Sequence, residues 1–172
     1  MSHRNPVIPS LAILLLASAC SDEAEVFKNT NAALVEHVGD PCVPEDEAYA
    51  DWAGLQVNEI TINDRQPECG HGYCVSYQFR GRVLCPDGND PTSESGPTCT
   101  TTQGDPVTVT VPPHLPSRPP EDAVICSCRC DGPPGTGPFC ACPDGFSCEH
   151  LVDDLLGNEI SLAYAGSYCV RP

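Results

Sequence analysis

The chain has 172 residues, with 8 basic and 24 acidic side chains, a formal net charge of −16, 19 prolines, 14 glycines and 13 cysteines. That balance leaves no basic stripe to neutralise phosphates, which argues against a nucleic-acid partner, and its general consequence is solubility and repulsion from acidic surfaces. Between residues 21 and 172, Leu, Ile, Val and Phe number only 29, about 19%, a content that at this charge leaves a chain disordered unless something else holds it.

The chain opens "MSHRNPVIPSLAILLLASAC", with one charge, Arg4, before an apolar run from Val7 to Ala19. The run is shorter than the ~20 residues of a membrane-spanning helix, and with Pro9 and a small-residue exit it fits an export signal. Ala17-Ser18-Ala19 offers an ordinary cleavage site, while Leu16-Ala17-Ser18-Ala19-Cys20 resembles a bacterial lipobox, cut before a lipid-bearing cysteine. Ala17 stands where leucine is commonest in that motif. Parity separates the two readings: an ordinary cut leaves 13 cysteines and an odd thiol, whereas a lipidated Cys20 leaves twelve. The expectation is a signal peptide over 1–19, lipidation at Cys20 and membrane attachment through that lipid, with Ser21 pointing to the outer membrane. The mature chain then carries 7 basic and 24 acidic side chains, a net charge of −17.

Residues 21–40 hold no cysteine and read as a flexible tether running from Cys20, with one short helix candidate around Asn31–Val38. The cysteine-rich domain spans 41–172. Leu55–Ile62 alternates apolar and polar residues as a half-buried strand does, and Cys74–Phe79 and Arg82–Cys85 suggest two more strands around Gly81. Residues 86–106 are a Gly/Pro/Ser/Thr-rich loop containing Cys99, and Val107–Val111 alternates again. The proline-rich run at 112–120 is a stiff, extended connector. His150–Leu156 is a weak helix candidate, and the Pro/Gly-rich segment Asp131–Pro138 reads as a hairpin connection.

Six cysteines fall within "CSCRCDGPPGTGPFCACPDGFSC", residues 126–148. In a strand, Cys126, Cys128 and Cys130 share a face about 6.5–7 Å apart, too far for disulfide β-carbons, so each needs a partner elsewhere. Cys140 and Cys142 face the same constraint. A structural metal site would use C-x2–4-C pairs; C-x2-C is absent, although Cys69 and Cys74 flank a C-x4-C with His71 between them. Absence of C-x-x-C also argues against a redox catalyst. There is no G-x-S-x-G and no H-E-x-x-H. His37, His71, His114 and His150 are scattered and read as surface residues, and Asp87, Asn89 and Asp90 hint at a calcium loop but miss the EF-hand spacing. No nucleophile, base and orienting group assemble from the sequence, so the expectation is a protein without catalysis, metal or other cofactor.

Several segments together resemble a group of cysteine-rich lipoproteins of myxobacteria. They are Gly39–Glu47, Gly81–Pro86, Arg118–Val124, Cys126–Gly132 and Ala165–Cys169, with the cysteine framework the most specific part. The resemblance spans about residues 39–170. It implies an envelope location and a disulfide architecture, and it carries over no catalytic residue.

The sequence therefore predicts a small disulfide-rich, mainly β domain with long irregular loops and little helix apart from the signal segment. All of Cys42, Cys69, Cys74, Cys85, Cys99, Cys126, Cys128, Cys130, Cys140, Cys142, Cys148 and Cys169 should be oxidised. Five of these precede the connector and seven follow it. Both counts are odd, so at least one bridge must cross the connector, and Cys126 is the expected donor. Cys130 with Cys140 and Cys128 with Cys142 would suit the hairpin. The role that follows is a non-catalytic binding or structural module of the bacterial cell envelope, its protein or glycan partner unspecified. The alternatives are a thiol/histidine metal-binding protein and a disulfide-stapled inhibitor or effector.

Overall fold

The computed structural model describes residues 32–64, 66–154 and 159–172. The expected signal peptide and Cys20 lie outside the described residues. Two three-stranded antiparallel sheets form a single small, mainly β domain. The first has β1 (Thr61–Asn63), β2 (Tyr73–Ser76) and β3 (Val124–Ser127) in the order β1-β2-β3; the second has β4 (Arg129–Asp131), β5 (Ser147–Val152) and β6 (Gly166–Val170) in the order β4-β6-β5. Cys128 alone separates β3 from β4, so the chain changes sheets within one residue. Ser127 Oγ fastens that corner by donating to the Cys169 carbonyl at 2.7 Å. Val75, Tyr168 and Val170 are buried together, with Ile62, Tyr73, Leu151 and Val152 packed against them, joining the two sheets through side chains.

Six disulfides pair all twelve cysteines from Cys42 onward: Cys42–Cys74, Cys69–Cys126, Cys85–Cys99, Cys128–Cys140, Cys130–Cys148 and Cys142–Cys169. Sulfur is also the core. In the cluster around Leu55 and Phe79, four of eight buried residues are half-cystines, and in the cluster beneath Leu34, Val35, Val38 and Phe146 the buried members are Cys128, Cys140 and Cys169. One bridge crosses the connector, from Cys69 to Cys126, closing a separation of 57 residues. The hairpin pairings differ from expectation: Cys128, not Cys130, joins Cys140, and Cys130 reaches Cys148. The sheet change at Cys128 is the reason. Cys140 N–H donates to the Arg129 carbonyl, which sets Cys140 beside Cys128, while Cys130 leaves with β4 towards β5.

The domain also begins before residue 41. Residues 32–35 are helical, Leu34, Val35 and Val38 pack on the sulfur cluster, Gly39 N–H donates to Cys126 O, and Cys126 N–H donates to Asp40 O. Residues 32–40, expected in the tether, thus dock along the free edge of β3, where Pro41 bridges Ile125.

Residues 80–118 contain no strand, only isolated bridges. Arg82–Cys85, expected as a strand, is instead a turn whose arginine is fully buried. Arg82 Nε donates to Glu47 Oε2 at 3.0 Å, Nη1 to the carbonyls of Tyr49 and Trp52, and Nη2 to that of Glu47. Val83 N–H donates to the other Glu47 oxygen at 2.6 Å. Burial pushes the Glu47 carboxyl above its ordinary value of 4.5, and Arg82 opposes that push. Gly81, at φ +95°, lets the backbone pass Pro112, whose carbonyl would stand 2.6 Å from an added Cβ. His114 Nε2 then donates to Arg82 O at 2.5 Å and packs edge-on against Phe79, so this histidine is half-buried and holds the connector down.

Val107–Val111 keeps its alternation in burial, with Val107 and Val111 inside, yet no strand lies beside it. Asn89 takes that place: its Nδ2 donates to the Val107 and Val109 carbonyls and its Oδ1 accepts from Thr98 N–H. The other differences are in length and type. Leu55–Ile62 contributes only the start of β1, and His150–Leu156, expected as helix, supplies the end of β5. The C-terminal helix is Glu159–Tyr164.

Candidate functional site

The predicted cysteines are brought together, but as bonded pairs. Three groups have sulfurs within 4.8 Å of one another: Cys42, Cys69 and Cys126; Cys128, Cys140 and Cys169; and Cys130, Cys142 and Cys169. Every one of those sulfurs belongs to a disulfide. A bonded sulfur has no thiolate to offer a metal. Cys169 Sγ lies 3.6 Å from Cys140 Sγ and 3.8 Å from Cys128 Sγ, so neighbouring bridges stack as packing units.

The histidines do not converge on them. His37 pairs with Asp40 at 3.0 Å and His150 with Asp153 at 2.9 Å, each three residues along the chain. His71 is exposed on the turn before β2. The acidic hint at Asp87, Asn89 and Asp90 dissolves for a similar reason. Asn89 points its amide inward, and the Asp90 carboxylate accepts from the Thr92 hydroxyl and N–H at 2.7 and 3.0 Å, which hold its carboxyl below its ordinary value. These residues border an open concavity of about 580 Å³ between Leu84 and Val111.

A second concave region lies where the two sheets meet. Two adjoining cavities, about 280 and 410 Å³, share His71, Tyr73 and Ala163. Tyr73 begins β2, and its ring stands edge-on to Tyr164 at 6.3 Å and to Tyr168 at 5.5 Å between centroids. Burial pushes the Tyr168 hydroxyl well above its ordinary value, so it stays neutral; that hydroxyl donates to Tyr164 O at 2.7 Å. Arg129, paired across from Tyr168 in the second sheet, lines the larger cavity. Its Nη1 donates to the carbonyls of Leu162, Ala163 and Ala165, at the C-terminal end of the last helix, where carbonyls lack helical partners. Nη2 donates to Thr136 O in the loop after β4, and the Phe139 ring lies 5.2 Å from the guanidinium carbon.

This cleft was not legible in the sequence. Arg129 sits between Cys128 and Cys130, where it reads only as a charge near thiols, and Tyr73 and Ala163 are 90 residues apart in the chain. The signal that existed was an arginine within a cysteine-dense segment that must be buried. No protein family, curated protein or solved structure matches the chain.

Proposed function

We propose that the chain is an exported bacterial lipoprotein, anchored through Cys20 in the outer membrane, whose stapled domain serves as a non-catalytic binding or structural module of the cell envelope. The observation that carries the location is the full pairing of the twelve cysteines from Cys42 to Cys169. Such a set forms and persists outside the reducing cytoplasm. The anchor rests on the lipobox-like exit at Leu16–Cys20 and on the even remainder of cysteines. The resemblance to cysteine-rich myxobacterial lipoproteins points the same way. The binding role rests on the shape of the domain: a cystine core carrying long loops and open clefts.

Fractionation of cells expressing the wild type and Cys20→Ser tests the anchor. Acylated wild type should sediment with outer membranes, and the variant should appear in the soluble envelope fraction. Unacylated, soluble wild type would contradict the anchor and favour the ordinary cut after Ala19.

A further inference from the structure

Among the described residues two arginines are buried, Arg82 at 0% exposed and Arg129 at 7%. They solve the same problem differently. Arg82 faces the Glu47 carboxylate inside the fold. Arg129 has the carbonyls of Leu162, Ala163, Ala165 and Thr136 and, among the described residues, no carboxylate. Its Nε is buried with no hydrogen-bond partner. Carbonyl dipoles orient a guanidinium and offset part of its desolvation, but they bring no net negative charge, and a buried charge without a counterion is costly. Tyr168, the cross-strand neighbour, remains a neutral phenol and does not fill that role.

The surroundings single this cleft out. In a chain of net charge −16, two separate concavities are bordered by carboxylates, Asp87 and Asp90 in one and Asp131 and Asp154 in the other, and Asp64 borders the smaller, adjoining cavity of this cleft. The cavity of about 410 Å³ lined by Arg129 has none; its wall is Leu34, His71, Tyr73, Thr136, Pro138 and Ala163. Its volume lies in the range of small-molecule sites, which combine an apolar wall with a few polar groups that fix orientation.

We infer that this cleft is a binding site for a small monocarboxylate, whose anionic head meets Arg129 and whose apolar body lies against Tyr73, Leu34 and Ala163. A carboxylate supplies the counterion that Glu47 supplies to Arg82, and it can accept from donors in a guanidinium fork. The acidic surface does not forbid this. Charges beyond about 8 Å are largely screened at physiological salt, whereas a contact inside a partly dry cleft is not. The inference deepens the binding role proposed above and is independent of the anchor.

The test titrates the oxidised, ¹⁵N-labelled protein with benzoate and, separately, with its neutral counterpart benzamide, following the Arg129 Nε–H and Tyr73 N–H resonances. Benzoate should shift both saturably, with a dissociation constant of about a millimolar, and benzamide should shift neither. Ala163 is exposed on the rim, so Ala163→Glu should fold normally yet weaken benzoate by about tenfold or more, while Ala163→Gln retains it. No saturable shift with benzoate, equal shifts with benzamide, or wild-type affinity in Ala163→Glu would each overturn the site. Such a failure is distinguishable from failure of the envelope reading, because fractionation and disulfide pairing read the latter without any ligand.

Discussion

Residues 80–118 and residues 124–170 build their interiors by opposite means. The first segment has no strand, and its interior holds Arg82 and Asn89 beside Cys85, Val107 and Val111. The second has four of the six strands and encloses the stacked bridges Cys128–Cys140 and Cys142–Cys169, with Cys130–Cys148 alongside. Buried backbone groups must be paired wherever they lie. A sheet pairs them through its own ladder and leaves its side chains free to be apolar or sulfur. Irregular chain has no ladder, so polar side chains must come inside and act as partners. The difference shows why this protein buries an ion pair and an asparagine while having so few large apolar residues.

The irregular segment depends most heavily on Arg82. Arg82→Met strands the Glu47 carboxylate and leaves the inward carbonyls of Glu47, Tyr49 and Trp52 without their donor. The expected loss is about 3–5 kcal/mol by denaturant unfolding of the oxidised protein. A loss below about 1 kcal/mol would show that residues 80–118 are not organised by this pair. In the sheet half the corresponding weak point is a cystine. Replacing Cys142 and Cys169 together with alanine should cost about 2–4 kcal/mol while leaving the far-ultraviolet circular dichroism of the strands in place. Retained stability in that double variant would say that sulfur is dispensable there.

Asn89→Ala sharpens the contrast at smaller scale. It removes the amide that substitutes for a missing strand, leaving the Val107 and Val109 carbonyls and the Thr98 N–H without it. The expected loss is about 1–3 kcal/mol, with amide exchange accelerated across residues 98–111 but unchanged in β2, β3 and β6. Acceleration spread evenly over both segments would remove the distinction between them.

How much of this was visible in the sequence follows the same division. The mainly β, cystine-held character was legible because composition sets it, and β2 was legible around Cys74–Val75–Ser76. Alternation at Val107–Val111 correctly marked the buried side chains but not their partner, since periodicity reports a face and says nothing of what lies beside the strand. Arg82 read only as the first residue of a short strand, because its partner, Glu47, lies 35 residues away. β3 was legible only at its end, through the strand reading of Cys126, Cys128 and Cys130: all four of its residues are buried, so it has no alternation to read. Parity revealed a bridge across the connector and spacing pointed to Cys126 as its donor. The hairpin pairings needed the sheet change at Cys128, which no local pattern announces. The candidate cleft lay beyond reach for a similar reason, because Tyr73, Arg129 and Ala163 meet only once both sheets are assembled.

One bridge, Cys69–Cys126, covalently ties together two halves that are separated by a proline-rich connector and also joined by the β2–β3 ladder. Non-reducing peptide mapping of the native, thiol-blocked protein tests it directly. A linked peptide pair carrying Cys69 and Cys126 is expected, with no blocked thiol from Cys42 to Cys169. Cleavage within residues 112–120 should leave the two fragments joined until a reductant is added. Fragments that part without reductant, or free thiols at Cys69 and Cys126, would contradict it.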